Sequence, residues 1–228
     1  MPLFRKFILL MKSALPAQKK KHNFAWTLDE EKYLKLDEVR SLRRACREAR
    51  NKALRQGKPT PVRDWFMTEL GLESGLRVEE MTDLKCGDLH IQAEQSSVSV
   101  RKGKGDKPRT VRISKRFKSV YKWFLEWKAG HGQEIAPEAY VLTTGKGQQL
   151  STRALQKAFK RCMARAGLPA RYSIHSLRHT YGTHLLKAGR YNLRLVQEQL
   201  GHSSVRVTEV YAGLIDTDVK QAVERLYR

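Results

Sequence analysis

Within Ile174-His-Ser-Leu-Arg-His-Thr-Tyr-Gly-Thr-His-Leu-Leu-Lys-Ala-Gly189, His175 and Arg178 stand three residues apart. In a helix beginning near His175 that spacing sets an imidazole beside a guanidinium, while Leu177, Tyr181, Leu185 and Ala188 fall on an apolar face. Such a pair can move a proton and hold an anionic oxygen in one place. Gly189 then supplies a helix stop, Asn192 an N-cap for a helix from Leu193 to Leu200, and Gly201 a second stop, so that His202 emerges at a helix end. Tyr211 follows nine residues later, before Gly213. Upstream, Arg77 stands at the entrance of a short helix predicted from Val78 to Leu84, and Lys102, Lys104 and Lys107 crowd a turn-rich stretch with Arg101 and Arg109. Singly, each has an ordinary reading: Arg77 as a helix-start salt bridge to Glu80, Tyr211 as a core ring beside Val207. His175 and His179 have metal-ligand spacing, yet there is no H-E-x-x-H glutamate and no clustered third ligand, so no metal site is expected.

The elements that must position these residues follow from hydrophobic period. Val39, Leu42, Cys46, Ala49 and Ala53 predict an amphipathic helix over residues 37–56, with Arg40, Arg43, Arg44, Arg47, Arg50 and Arg55 on its remaining surface and no glutamate at i+4 to most of them. Pro61 is placed to open a helix through Trp65, Phe66 and Leu70, ended by Gly71 and Gly75. Between Asp88 and Ile113 the period falls to two, with Val98 and Val100, then Val111 and Ile113, flanking the glycine-rich turn, which predicts a small antiparallel sheet. Helical spacing returns at Val120, Phe124 and Trp127, again at Leu155, Phe159 and Met163, and then almost without break from Ile174 to the end. The fold class is therefore mainly α with one small antiparallel β-sheet (α+β).

The chain of 228 residues is long enough for one main domain. Lys and Arg number 45 against 23 Asp and Glu, a net charge of +22. Such an excess repels itself unless a polyanion relieves it, and nucleic acid is the default partner. No apolar run reaches membrane-spanning length, and Phe7 to Met11 is too short for a signal-peptide core, so a cytoplasmic, nucleoid-associated protein is expected. Cys46, Cys86 and Cys162 are odd in number and widely spaced, which points to reduced packing residues. Residues 1–33 carry Lys19-Lys20-Lys21 and no sustained period, and are expected to be a basic extension that orders on DNA.

The two downstream segments, together with Gly75-Leu-Arg77-Val-Glu-Glu80 and Arg101-Lys-Gly-Lys104-Gly-Asp-Lys-Pro-Arg109, closely resemble the catalytic domain of the tyrosine recombinase, or phage integrase, family over residues 34–228. In that family an arginine lies in G-L-R-x-x-E, a lysine in a G-K-G turn, a histidine and an arginine in H-x-L-R-H, a histidine in L-G-H, and a tyrosine nine residues on. The resemblance assigns these to Arg77, Lys104, His175, Arg178, His202 and Tyr211. Most members also carry an N-terminal core-binding domain, and only 33 residues precede the match, so a short form is expected.

The resemblance implies a site-specific recombinase of integrase or invertase type, which cleaves and rejoins double-stranded DNA through a 3′-phosphotyrosine without metal, ATP or any other cofactor. Arg77 and Arg178 would clamp the non-bridging oxygens, His175 assist proton movement at Tyr211, His202 hydrogen-bond a phosphate oxygen, and Lys104 protonate the departing 5′-oxygen, with Lys102 and Lys107 on the same turn as alternatives. Glu80 would orient Arg77. Arg40, Arg43, Arg44, Arg47, Lys102, Lys107 and Arg109 are the candidate DNA contacts. Partners implied are DNA, further copies in a tetramer joined by a C-terminal helix over residues 214–228, and accessory DNA-bending or directionality proteins, with no membrane. A type IB topoisomerase-like activity, or a catalytically silent DNA-binding regulator, would be the competing functions.

Overall fold

The computed structural model describes residues 31–92, 95–101 and 108–201. Described elements run in the order α1 (Leu36–Arg55), α2 (Pro59–Ser74), α3 (Val78–Asp83), a 3-10 turn (Cys86–Asp88), β1 (Leu89–His90), β2 (Ser97–Val100), β3 (Arg109–Arg112), α4 (Lys115–Gly130), α5 (Thr152–Arg165), α6 (His175–Ala188) and α7 (Leu193–Leu200). The expected class, mostly helix with a small antiparallel sheet, is what the structure has. Among the described residues no helix is long and apolar enough to cross a membrane.

Helix ends are set by local chemistry. Ser114, Ser151 and Asn192 each accept a backbone N–H of the following first turn, from Phe117 (3.1 Å), Ala154 (3.2 Å) and Leu195 (3.1 Å), which satisfies donors that have no partner inside the helix. Helix α2 begins at Pro59 rather than at Pro61. Both prolines sit in the first turn, where a missing N–H costs nothing, so either position was chemically allowed. At the end of α6 the left-handed residues are Arg190 (φ 51°) and Tyr191 (φ 63°) instead of Gly189.

Helix α2 is the hub, packed by α1, α4, α5 and α6. Along α1, Val39, Leu42, Cys46 and Ala53 are buried as their period predicts, and Ala49 is half-buried. On the other side of α2, Phe66 lies flat on Phe124 with ring centroids 3.8 Å apart and planes 3° from parallel, flanked by Phe117 and Tyr121. The sheet runs β1-β2-β3, antiparallel throughout, with Leu89 opposite Val98 and Val98 opposite Val111. Val98, Val100 and Val111 are buried, so this short sheet presents one face to the core.

Helix α6 departs from its expected surface-amphipathic pattern. Ser176, Leu177, Arg178, Thr180, Gly182, Thr183 and Leu186 are all buried, which places it inside the protein on several faces. Thr180, one of these buried polar residues, is partnered on both sides: its Oγ1 accepts the Leu34 N–H (2.9 Å) and donates to the Ser176 carbonyl (2.6 Å). His184 Nε2 lies 3.0 Å from the Leu34 carbonyl oxygen. The segment entering α1 is thereby strapped along α6 by two side chains one turn apart.

Phe66 is fully buried in this arrangement. Phe66→Ala should cost about 4 kcal/mol of unfolding free energy, because both its ring contacts and the space it fills are lost. Equilibrium urea denaturation measures this, and a loss below about 1 kcal/mol would contradict the placement of the core between α2 and α4.

Candidate active site

Arg77 is the residue from which α3 starts, and its backbone is extended there (φ −70°, ψ 158°). Its N–H donates to Glu80 Oε2 (2.8 Å) and its Nη1 to Glu80 Oε1 (2.7 Å), so one carboxylate fixes both the helix start and the side chain. Glu80 also receives a two-pronged bond from Arg109, with Nη1 to Oε1 and Nη2 to Oε2 both at 2.8 Å. Despite burial, the Arg109 and Arg77 hydrogen bonds and the Arg109 charge hold the Glu80 carboxyl down at about 2. Glu80 thus orients Arg77, as its spacing suggests, and joins it to the first residue of β3.

Arg178 lies in the first turn of α6 and is buried. Its Nη1 donates to the Gly75 carbonyl and its Nη2 to the Leu200 carbonyl, both at 2.7 Å. These are the ends of two helices: Gly75 closes α2 with φ +60°, and Leu200 is the last residue of α7. A side chain at Gly75 would meet Tyr181 Cδ1 at 2.4 Å and Leu200 Cδ2 at 2.9 Å, so both the left-handed turn and the close approach require glycine. Arg178 therefore ties the Arg77 arm to α7, whose C-terminus leads directly to position 202. His175, at the head of α6, is exposed.

The end of α7 is further located by β3. Gln199 Oε1 accepts the Arg112 N–H (3.0 Å) and the Tyr181 hydroxyl (3.2 Å). Gly201 caps the helix with φ +63°, and a Cβ there would stand 2.2 Å from Arg109 Cδ, so the chain lies against the arginine stem. Burial pushes the Tyr181 phenol up to about 12. Burial also lowers His179 to about 4, so this neighbour of the Arg178 charge is held as neutral imidazole.

Of the six expected catalytic residues, Arg77, His175 and Arg178 are gathered around these helix ends, whereas Lys104, His202 and Tyr211 lie outside the described residues. So do the candidate contacts Lys102 and Lys107 and the C-terminal stretch 214–228. Among the other expected DNA contacts, Arg40, Arg44 and Arg47 are exposed on α1. Two are placed differently. Arg43 pairs with Glu69 (3.2 Å) and Glu73 (2.7 Å) on α2, and Arg109 is almost enclosed with both Nη groups on Glu80. Their partners come from other elements, so counting glutamates at i+4 could not have found them. Gln199 was likewise missed, since nothing in the sequence marks a glutamine in an amphipathic helix as buried. Among the described residues no cluster of His, Cys, Asp or Glu is arranged to hold a metal ion.

The Glu80 anchor carries a pH signature. Its carboxyl titrates lower when folded than the ordinary value of 4.5, so its stabilisation is complete above about pH 4.5 and lost as pH falls toward 2. Glu80→Gln should cost about 3 kcal/mol at neutral pH by leaving two arginines underpaired, and its gap from the parent protein should narrow through that window. Urea unfolding at stepped pH measures it, and a gap that stays constant from neutrality to pH 2 would contradict an ionised Glu80 anchor.

Comparison with known proteins shows what the chain as a whole is similar to. The profile described as "Phage integrase family" matches residues 32–217, a span that includes position 211. The tyrosine recombinase XerC of Proteus mirabilis is 36% identical over 158 residues, 68% of this chain and 49% of that protein. The XerC of Haemophilus ducreyi is 38% identical over 159 residues, 69% of this chain and 49% of that protein. The chain thus matches about half the length of these relatives. The crystal structure of XerA recombinase superposes with a TM-score of 0.69 at 25% identity, covering 86% of this chain and 65% of that one. XerH bound to palindromic difH substrate, in a post-cleavage complex, shares the fold with a TM-score of 0.70 at 23% identity, covering 88% and 54%. On the extent of the profile match and the identity to its relatives, the chain belongs to the phage integrase family of tyrosine recombinases.

Proposed function

We propose that this chain is a site-specific DNA recombinase in which Tyr211 attacks a backbone phosphate of duplex DNA. The phenolic oxygen forms a bond to phosphorus, the bond to the 5′-oxygen breaks, and the DNA is left joined to the protein through a 3′-phosphotyrosine. His175 takes the phenol proton and Lys104 supplies one to the departing 5′-oxygen, with Lys102 and Lys107 as alternatives. Arg77 and Arg178 hold the non-bridging oxygens and His202 adds a hydrogen bond as charge builds on them. A 5′-hydroxyl from another duplex then reverses the step. The phosphodiester energy is conserved in the protein–DNA bond, so the chemistry requires neither ATP nor a metal ion.

The observation that carries this reading is the Arg178 tie. One guanidinium joins the turn before Arg77 to the helix end before position 202, which supports a shared site of the kind that displacement at a phosphodiester requires. The net charge of +22 and exposed Arg40, Arg44 and Arg47 support a duplex DNA partner. In this reading residues 34–228 form the catalytic domain, residues 1–33 add affinity, and the segment after Gly213 exchanges between copies in a tetramer on DNA. Accessory DNA-bending or directionality proteins would act on that assembly, in the cytoplasm at the nucleoid.

The test is covalent trapping on nicked duplexes drawn from a random-sequence pool, in excess EDTA. The unaltered protein should form a protease-sensitive DNA adduct. Tyr211→Phe should bind DNA within a few-fold of it and form none, because only the attacking oxygen is removed. Adduct formation by the variant would move the nucleophile elsewhere, loss of adduct by EDTA alone would demand a metal, and no adduct from the unaltered protein would favour a silent DNA-binding role.

A further inference from the structure

Helix α6 opens without a capping side chain: Ile174, the residue before it, is already in helical geometry (φ −59°, ψ −27°) and offers none. Helix ends fray, and a first turn without a cap depends on whatever holds the loop before it. The Ser176 and Leu177 N–H groups donate to the Ser173 and Ile174 carbonyls (2.9 and 3.1 Å), so this turn is only as firm as residues 170–174. His175 stands exposed in that turn. Arg178, three residues on, is buried and fixed by its own bonds to Gly75 and Leu200. Firm seating of Arg178 does not by itself seat His175.

Two side chains grip the loop, and they tie it to two other helices. Lys160 of α5 sends its ammonium to the Ala170 and Tyr172 carbonyls at 2.5 and 2.7 Å. Tyr172 is 2% exposed, and its hydroxyl stands 3.0 Å from both carboxylate oxygens of Glu38 on α1. Burial and that hydrogen bond push the phenol up, which keeps it a donor. Glu38 in turn accepts the Lys35 N–H (2.8 Å), so the start of α1 sets it. Lys160 is itself exposed, and water would serve its ammonium as well as two carbonyls do, so its bonds add little net stability. What they add is place.

We propose that Lys160 and Tyr172 are positioning residues, which seat the first turn of α6 from α5 and α1 and so hold His175 in place beside Arg178. The inference rests on the recombinase reading and deepens it. Neither residue touches a reacting atom; both act through the loop and His175.

A role exerted through His175 must disappear when the imidazole is gone, which a double-mutant cycle detects. The experiment uses the full chain at saturating concentration, so that any loss of DNA affinity is bypassed. Its substrate is a duplex recovered by trapping from the random pool and synthesised with sulfur at the 5′-bridging position, which departs without a proton and keeps slow variants measurable. Lys160→Met should form adduct about tenfold more slowly than the parent and Tyr172→Phe about fivefold. Lys160→Arg, whose guanidinium can still reach both carbonyls, should stay within about threefold of the parent. In a His175→Ala background Lys160→Met and Tyr172→Phe should each change the rate by less than about twofold. A second readout needs no activity: in the DNA-free protein Lys160→Met, or Tyr172→Phe should the former fail to fold, should speed amide hydrogen exchange at Ser176 and Leu177 at least about tenfold, with Gly75 and Gly201 unchanged.

Equal slowing with and without His175, or unaltered exchange at Ser176 and Leu177, would overturn the positioning role while leaving the recombinase reading intact. Absence of adduct from the parent protein would overturn the reading itself.

Discussion

The Arg178 guanidinium donates to two backbone carbonyls, of Gly75 and of Leu200, that are far apart in sequence and belong to the ends of different helices. Carbonyls at a helix end have no partner within the helix. A buried cation is costly unless it is hydrogen-bonded, and two adjacent helix ends, each the negative pole of its dipole, are a favourable place for one. Each component thus resolves the other's deficit. From that tie the site closes into a ring: Arg178 holds Gly75, Arg77 follows Gly75, Glu80 holds Arg77 and Arg109, and Arg109 lies against Gly201, which succeeds Leu200. Every link is a charged hydrogen bond, a peptide connection or a contact that only glycine permits.

The pairing of Glu80 with two arginines recurs elsewhere in this basic chain. Four carboxylates that are buried or half-buried each lie between two arginines. Glu80 takes Arg77 and Arg109, Asp64 takes Arg161 and Arg165, and Glu69 and Glu73 both take Arg43 and Arg116. Pairing of this kind lowers the cost of bringing arginines from distant parts of the sequence together, and Arg116 is raised by its two carboxylates despite partial burial. Other arginines, among them Arg40, Arg44 and Arg47, stay at the surface, where a polyanion can reach them.

The sequence revealed those elements whose burial is one-sided. The apolar stripe of α1 and the asparagine cap of α7 depend on neighbours within a few residues, and they are found where period and capping chemistry put them. Helix α6 was read as amphipathic because hydrophobic period cannot show that Thr180 and Arg178 are buried with partners more than a hundred residues away. The same limit hid the commitment of Arg109 to Glu80, across 29 residues, and of Gln199 to Arg112, across 87. At the candidate site the residue types around Arg77, His175 and Arg178 were legible, since their spacing is itself the signal. The contacts that hold them were not, because long-range hydrogen bonds leave no local pattern.

The account stands on Arg178 as a structural tie in the protein without DNA, and Arg178→Lys measures that most directly. Lysine keeps the positive charge but presents one ammonium in place of a two-pronged fork, so it cannot reach both carbonyls in the same geometry. Urea unfolding of the DNA-free variant should show a loss of about 2 kcal/mol, as one buried carbonyl goes unpaired. An unfolding curve coincident with that of the parent protein would contradict the account, since Arg178 would then hold nothing together in the absence of substrate.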